Sequence, residues 1–318
     1  FAQDVEKTVT LDEVTVKAAK VVNKADGMII YPTDAQKQSS NNGYSILEKL
    51  TLANLRIDNI SHSITAIDNR GGVQIRINGI VVGKPDMLAL NPKDISKIDF
   101  INNPGVRYGD GIAYVINIVT RRNGTGYTVG MDLTSALTTL QGDDMVYGKW
   151  NKGKSELSFS YDVSGYKTKG EKSRQSADYT LTDGSIYTIE RNDVESLRKS
   201  ISHDAKLTYN WSDSTATVFQ ASLNGAFNNT PDNYTVKDIV DGTRQYKATS
   251  RAKDKSYSPV LDIYFFRQLT PRQSLTANAV ATYISTQTSS YYDEGTPYKY
   301  NVDGKTASLL TEVIYENR

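Results

Sequence analysis

The residues best suited to catalysis or metal binding are few, and their spacing suits neither task. His62 and His203 are the 2 histidines of the chain, and neither has partners at the spacing of a metal site. Asp143-Asp144 and Asp293-Glu294 are adjacent acids in predicted turns, whereas a glycosidase holds two carboxylates across a cleft. Ser61-His62-Ser63 lacks the Gly-x-Ser-x-Gly surroundings of a nucleophile elbow. We therefore expect no enzyme activity, no catalytic residue, no metal site and no cofactor; calcium bound in a loop is left open.

Composition narrows the classes of protein further. The chain has 318 residues, enough for two domains, and its 37 Lys and Arg against 36 Asp and Glu offer no excess charge for nucleic acid. The absence of cysteine excludes disulfides and thiolate chemistry. No apolar run approaches the ~18 residues of a transmembrane helix, but membrane strands alternate lipid-facing and lumen-facing residues and lack such runs. The 21 tyrosines suit positions that are apolar on one side and wet on the other.

The first third of the chain mixes helix-like and strand-like segments. Gly27–Tyr31 is a short apolar run before a proline, which predicts a strand. Tyr44–Leu50 has apolar residues at helical spacing, with Asn42 or Ser45 as the candidate cap. Asn78-Gly79 lies between alternating apolar residues and predicts a hairpin, because both residues tolerate positive φ. These segments predict a small mixed α+β domain.

From Tyr127 onward the pattern changes to long alternating strands joined by polar turns. Clear examples are Leu157–Val163, Leu207–Trp211, Phe219–Phe227, Leu261–Phe265, Leu275–Tyr283 and Leu309–Tyr315. Short connections such as Asn151–Lys154 alternate with long polar ones, from about 168 to 199 and from about 229 to 256. Short turns on one rim and long loops on the other are typical of an outer-membrane β-barrel.

Four motifs between Arg76 and Thr120 resemble, in order and spacing, the plug domain of TonB-dependent outer-membrane receptors. They are Arg76-Ile77-Asn78-Gly79-Ile80, Asp94-Ile95-Ser96-Lys97-Ile98-Asp99, Asn103-Pro104-Gly105-Val106-Arg107-Tyr108-Gly109 and Ile116-Asn117-Ile118-Val119-Thr120. The resemblance implies an N-terminal arm at 1–25, a mixed α+β plug domain at 26–122 and the N-terminal part of an antiparallel transmembrane β-barrel at 123–318. The roughly seven or eight strands that we predict fall short of the about 22 of plugged transporters, so we expect an incomplete barrel from a truncated, proteolysed or partly described chain.

The resemblance also assigns a coupling segment near the N-terminus. The segment similar to a TonB box comprises Leu11, Asp12, Glu13, Val14, Thr15, Val16, Lys17 and Ala18. Alternating Val14 and Val16 could add as a strand to the edge of a sheet in TonB, so that main-chain hydrogen bonds carry a pulling force. The alternative is that these residues form the first strand of the plug.

The upper turns of the plug and the long loops are expected to line a ligand site. The candidate ligand-binding residues in the first domain are Arg70, Lys84, Asp86 and Met87, and those in or near the loops are Tyr179, Tyr187 and Tyr234, with Tyr166 and Tyr246 as further tyrosines able to stack on a sugar or an aromatic chelate. For each of them the alternative is an ordinary solvated side chain.

By resemblance, the protein would bind a scarce extracellular nutrient and import it by an energised rearrangement of the plug. Its expected partners are the periplasmic domain of TonB, outer-membrane lipid and a small-molecule, peptide or glycan ligand, with no nucleic acid. Its expected location is the outer membrane of a Gram-negative bacterium. Two alternatives stay open: a non-transporting outer-membrane barrel for signalling, adhesion or assembly, and a soluble secreted β-protein that binds glycans.

Overall fold

The chain forms two compact units, Phe1–Asn123 and Gly124–Arg318. The computed structural model describes residues 20–102, 104, 108, 111–121, 125–136, 138, 140–213 and 216–317. The coupling segment predicted at Leu11–Ala18 lies outside the described residues. Helices occur only in the first unit of the described chain, and the second unit consists of strands.

The first unit combines short strands, three short α-helices and one 3₁₀ turn. In chain order its elements are β1 (Lys20–Lys24), β2 (Gly27–Tyr31), α1 (Asp34–Gln38), α2 (Gly43–Leu50), β3 (Leu55–Asp58), β4 (Ser63–Ala66), β5 (Gly72–Ile77), β6 (Ile80–Val81), α3 (Lys84–Leu88), the 3₁₀ turn (Pro92–Asp94), β7 (Ile95–Ile101) and β8 (Ile112–Thr120). Strands β3 and β4 form a separate hairpin, and the others form one six-stranded sheet in the order β1-β2-β7-β8-β5-β6. Only the β5–β8 pair is parallel among these described pairings.

Local sequence chemistry fixes the ends of these elements. The Asn42 side chain accepts a 2.9 Å hydrogen bond from the Ser45 amide, and the Ser45 hydroxyl accepts one from the Asn42 amide, which caps α2. Asn78 and Gly79 have φ values of 52° and 84°, as the tight turn between β5 and β6 requires. The predicted cap and hairpin are both present.

The first unit has a closed apolar core between α2, α3 and the sheet. The residues with the largest fully buried side chains here are Ile46, Leu47, Met87, Ile95, Ile98, Phe100, Tyr114, Val115, Ile116 and Ile118. Strands β7 and β8 supply most of them, because both lie in the middle of the sheet. The rings of Phe100 and Tyr114 stack there with centroids 5.9 Å apart.

The second unit is one antiparallel sheet of nine strands, several of them very long. The strands are β9 (Gly126–Ser135), β10 (Leu140–Lys152), β11 (Ser155–Lys169), β12 (Arg174–Thr180), β13 (Ile186–Ser212), β14 (Thr217–Asp241), β15 (Arg244–Thr270), β16 (Gln273–Asp293) and β17 (Tyr298–Asn317). The order is β17-β16-β15-β14-β13-β11-β10-β9, with β12 beside β13. Strands β9 and β17 end this order and do not pair with each other in the described residues, so the sheet is open there.

The segments predicted as long loops are extended strands instead. Residues 168–199 lie largely in β11, β12 and β13, and residues 229–256 lie in β14 and β15. These strands were not predicted because they carry polar residues on both faces. Such strands lack the alternation of apolar and polar residues by which a strand is recognised in a sequence. The structure therefore has nine strands after residue 125, against the roughly seven or eight predicted.

A β-bulge interrupts β14 within this sheet. Thr230 pairs with Asp254 and Asn233 pairs with Ala252, so two residues of β14 stand opposite one residue of β15. The pairing between β13 and β14 shifts at the same level, between Leu197 and Ile201. Because side chains alternate between faces, the extra residue exchanges the two faces of β14 beyond this point.

Candidate functional site

One face of the second sheet is apolar and exposed. A continuous row of directly paired residues crosses the eight strands of the main order: Val129, Gly148, Phe159, Leu207, Leu223, Leu261, Ala281 and Leu309. Its six large side chains are 41% to 77% exposed. We call this side of the sheet the apolar face.

The rows on either side continue the apolar face. Towards the short turns, the next row contains Tyr127, Trp150, Leu157, Tyr209, Ala221, Ile263, Ala279 and Thr311. Away from those turns, the next row contains Met131, Val146, Tyr161, Ala205, Gly225 and Pro259. The apolar band consists of these three rows and of the two rows that bound them. One bounding row contains Trp211 and Phe219, and the other contains Phe227 and Tyr257.

The length of the apolar band can be measured along β14. Phe219 lies in the bounding row near the short turns, beside Trp211, and Phe227 lies in the opposite bounding row, beside Tyr257. Phe227 follows Phe219 by eight positions, which at about 3.4 Å per residue gives about 27 Å along the strand. Strands that cross a bacterial outer membrane are tilted and need about 9 to 11 residues to span its apolar layer, so this segment of nine residues is of suitable length.

The reverse side of the same strands is polar, and we call it the polar face. Lys149 Nζ lies 2.7 Å from Glu156 Oε2. Asn210 donates a 3.2 Å hydrogen bond to Glu156 Oε1, and Asn278 donates a 3.1 Å hydrogen bond to Glu312. The sheet thus separates an apolar side from a hydrogen-bonded side at the same level. Among the described residues, no helix is both long enough and apolar enough to cross a membrane.

Beyond the apolar band, the polar face carries a charged cluster on β13 to β16, which we call the distal cluster. Its centre is Glu294, which accepts a 3.2 Å hydrogen bond from the Tyr246 hydroxyl and a second from the Tyr292 hydroxyl. Arg191 Nη2 lies 3.7 Å from the same carboxylate. Lys237 and Asp193, 3.3 Å apart, complete the cluster.

A cleft of about 290 Å³ opens beside the distal cluster. It is lined by Arg191, Thr235, Lys237, Ile239, Ala248, Ser250 and Tyr292. Ile239 and Ala248 are buried and form an apolar floor, whereas Arg191 and Lys237 place cationic donors on its wall. This combination suits a small ligand that carries an anionic group on an apolar or aromatic body.

The electrostatics of the distal cluster keep its groups in defined charge states. The hydrogen bond to Glu294, followed by burial, raises the pKa of Tyr292 to about 12. Burial, followed by its own hydrogen bond to Glu294, raises the pKa of Tyr246. Burial pushes the pKa of Asp193 upward, but hydrogen bonds from Ser173 and Lys237 outweigh it and leave that pKa lowered. At neutral pH both tyrosines are therefore protonated donors and Asp193 is charged.

The structure separates the tyrosines predicted to bind a ligand. Tyr179 and Tyr187 are directly paired across β12 and β13, near the far end of the sheet. Tyr234 lies at the level of the β14 bulge, on the side that continues the apolar face, and donates a 2.6 Å hydrogen bond to Glu195. Tyr246 belongs to the distal cluster. Tyr166 is exposed on β11 and pairs with Gln141 and Ser200.

The predicted residues of the first unit do not form one group. Arg70 donates to Asp68 Oδ2 at 2.5 Å and also to the Tyr114 hydroxyl, which itself donates to Asp68. The hydrogen bond from Tyr114, followed by that from Arg70, lowers the pKa of Asp68. This ionic group stands at the edge of the core, and Arg70 itself is largely exposed. Ligand binding by Arg70 stays a prediction.

The other three predicted residues of the first unit belong to α3. The Asp86 carboxylate accepts a hydrogen bond from the Gly83 amide at 3.2 Å, which caps the helix that Lys84 begins. Met87 is fully buried, and its side chain lies so close to Gly43 that a Cβ there would come within 2.7 Å of it. The structure thus gives Met87 a packing role in place of the predicted ligand contact.

Sequence reasoning missed most of the distal cluster. Arg191, Asp193 and Lys237 lie inside segments interpreted as loops, and Glu294 was assigned only to a turn. The interaction that could have indicated the cluster is the hydrogen bond from Tyr246 to Glu294 in the next hairpin. It can be recognised only once the strand register is known. No group of three His, Asp or Glu side chains able to hold a metal occurs in the part of the chain that the structure describes.

No family model and no curated protein matches this sequence. Solved structures to which the chain is similar include the ferric yersiniabactin uptake receptor FyuA from Yersinia pestis, with a TM-score of 0.38, 11% identity and coverage of 90% of this chain and 61% of the receptor. Others are FpvA of P. aeruginosa in complex with a heterologous pyoverdine and iron (TM-score 0.36, 10% identity, 90% of this chain, 48% of FpvA) and the copper transporter OprC (TM-score 0.31, 12% identity, 86% of this chain, 50% of OprC). The chain thus spans 48% to 61% of the lengths of these three proteins. The likeness agrees with the receptor family named from the sequence, but at TM-scores below 0.5 it carries no argument of its own.

Proposed function

We propose that this protein is a TonB-dependent outer-membrane receptor that binds a scarce extracellular solute and imports it. The observation that carries the proposal is the apolar band, about 27 Å long along β14, on one face of the second sheet, backed by a polar face. In water each large apolar side chain left exposed forgoes about 1.5 to 3 kcal/mol of burial free energy. Lipid removes that cost along the whole band at once.

The first unit supports the receptor assignment within the outer membrane. Its four motifs keep the order found in plug domains, and its closed core makes it a separate body that can rearrange without the sheet unfolding. We propose that it gates the passage and that Leu11–Ala18 couples it to TonB by strand addition.

The distal cluster is the site that we propose for first contact with the solute. It lies on the polar face beyond the apolar band, where Arg191, Lys237, Tyr292 and an apolar floor line one cleft. The proposed ligand is a small molecule with an anionic group and an apolar or aromatic part. Glu294 lies 3.7 Å from Arg191 and Asp193 lies 3.3 Å from Lys237, so a ligand anion would compete with these two carboxylates.

Membrane placement is tested by fractionation of cells that produce the protein. We expect it in the outer-membrane fraction, resistant to extraction by salt and by alkaline carbonate and released by detergent. Recovery as a stable protein without detergent would contradict the proposal and would favour a secreted glycan-binding protein.

Coupled import is tested with two substitutions at one position of the arm. Val14→Pro removes a backbone donor needed for strand addition, whereas Val14→Ala keeps it. We expect Val14→Pro to abolish growth on the imported nutrient, screened over iron chelates, cobalamin, peptides and glycans as sole sources, and Val14→Ala to retain most of it. Equal growth of both variants and of a deletion strain on every source would favour a non-transport role.

A further inference from the structure

A set of lysines lies on the side of the sheet that continues the apolar face, at the far edge of the apolar band and directly beyond it. We call it the basic belt, and its members are Lys167, Lys199, Lys253, Lys255, Lys299 and Lys305. All six are exposed. The belt begins in the bounding row of Phe227 and Tyr257, where Lys305 stands opposite Ser285. It continues with Lys255, which is two residues from Tyr257 on the same strand and the same side.

The register of the strands concentrates this positive charge. Lys167 and Lys199 are directly paired across β11 and β13, and like charges in that position repel each other. Lys253 and Lys255 project to the same side of β15, next to uncharged Ser289 and Gln287 on β16. An external anion that bridges these neighbouring lysines would reduce their repulsion and stabilise the sheet.

The acids near the basic belt neutralise only part of it. Glu195 accepts its hydrogen bond from Tyr234, and Asp232 is paired with Arg251 at 2.8 Å. Asp144 and Asp303 also lie on this side, one near each end of the belt. None of the six lysines forms an ion pair with another described residue, whereas Arg251 beside them does.

We propose that the basic belt binds the phosphate groups of lipid headgroups in the leaflet that surrounds the far end of the band. This inference rests on the proposed outer-membrane location. Lysine suits the position, because its stem lies along apolar surface while its ammonium reaches the polar boundary. The belt is continuous with the apolar band, so a phosphate held by a lipid meets it while the acyl chains of that lipid cover the band. A soluble acidic protein would lack that second contact.

Lipid retention by the full chain in detergent tests the proposal. The protein is titrated with a phosphate-bearing lipid (lipid A) and with a zwitterionic lipid (phosphatidylcholine), and bound lipids are counted by native mass spectrometry. Since each lysine near a membrane surface strengthens anion binding about fivefold, Lys167→Gln/Lys199→Gln/Lys253→Gln should weaken lipid A binding at least tenfold. Lys37→Gln/Lys93→Gln/Lys206→Gln, which makes the same charge change in the first unit and on the polar face of the sheet, should leave it unchanged.

Each outcome has a separate meaning. Equal binding of lipid A and phosphatidylcholine, or equal loss in both triple variants, would overturn the basic belt as a headgroup site. Displacement of lipid A by an equal concentration of inorganic phosphate would show that the belt binds free phosphate and would overturn the lipid assignment. Failure of the protein to hold either lipid, together with stability in the absence of detergent, would contradict the outer-membrane proposal itself.

Discussion

The two units differ in where they place their large apolar side chains. The first unit folds them inward, so that Phe100, Tyr114 and Ile116 are almost completely buried. The second unit is larger, yet Met145, Ile239 and Ala248 are its only buried apolar residues in the described chain. Its Leu207, Leu223 and Leu261 point outward instead. The first unit encloses its own apolar interior, whereas the second leaves most of its large apolar side chains exposed on one face.

The largest effect that separates the two units is expected from the core of the first. Phe100→Ala should lower the unfolding free energy of this unit by about 3 to 5 kcal/mol, because it removes the ring stacked on Tyr114 and leaves a cavity. Hydrogen exchange followed by mass spectrometry resolves this loss to β7 and β8. The loss should be the same in detergent and in lipid, and Phe100→Leu should cost clearly less. An unchanged exchange rate in β7 would contradict a self-sufficient core.

The second unit should respond to charge on its apolar face. Leu223→Arg should cost about 2 to 4 kcal/mol in lipid, since it places a cation in the middle of the apolar band. Unfolding by urea in lipid vesicles can be followed by tryptophan fluorescence, because both tryptophans, Trp150 and Trp211, belong to this unit.

The neighbouring residue supplies the matched control for that experiment. Ser222→Arg introduces the same charge on the polar face, one residue back along the same strand and opposite Asp262, and should cost little stability. Equal losses in the two variants would show that the two faces see the same medium, which would remove the contrast between the units.

A smaller effect is expected at the start of α2. Asn42→Ala should destabilise the first unit by about 1 kcal/mol, because the amide of Ser45 loses its acceptor. Asn42→Ser should recover most of that loss, and the tryptophan fluorescence of the second unit should not change in either variant. Thermal unfolding followed by circular dichroism measures the stability loss in each variant. A change in the second unit would show that the two units unfold together.

The smallest effect concerns alkaline titration of the distal cluster. The folded pKa of Tyr292, about 12, lies above the usual value near 10. The stabilisation from its hydrogen bond is therefore complete below pH of about 10 and is lost as pH rises towards 12. Tyr292→Phe should remove one late-titrating phenol from the phenolate absorbance curve. A variant curve whose late part matches that of the unmodified protein would contradict the contact with Glu294.

Local features of the fold could be predicted from the sequence. The Asn42 cap and the Asn78-Gly79 turn depend on neighbouring residues alone, so both can be predicted from the local sequence. The strands of the apolar band were also predicted, because alternation appears wherever one face meets an apolar medium. Leu157–Val163 and Phe219–Phe227 both lie within strands.

The distal cluster could not be predicted, because it depends on register. Arg191 and Glu294 are far apart in the sequence and meet only through the pairing of four strands. Extending the alternation of β14 past Phe227 would also place Tyr234 on the polar face, with Asn224 and Asn228. The bulge before Asn233 reverses that assignment, and Pro231 was its one signal in the sequence, because proline inside a sheet is confined to edge strands, strand starts and bulges.

The β14 bulge determines which residues of the later part of the strand face each side of the sheet. Deleting Pro231 would restore the original phase, so that every residue from Asn233 to Asp241 would exchange sides while the strand stayed the same. Lys237 and Ile239 would then leave the cleft, and Val236 and Asp238 would enter it. A single inserted residue therefore lets one strand place its apolar side chains on one face before the bulge and its cleft-lining side chains on the opposite face after it.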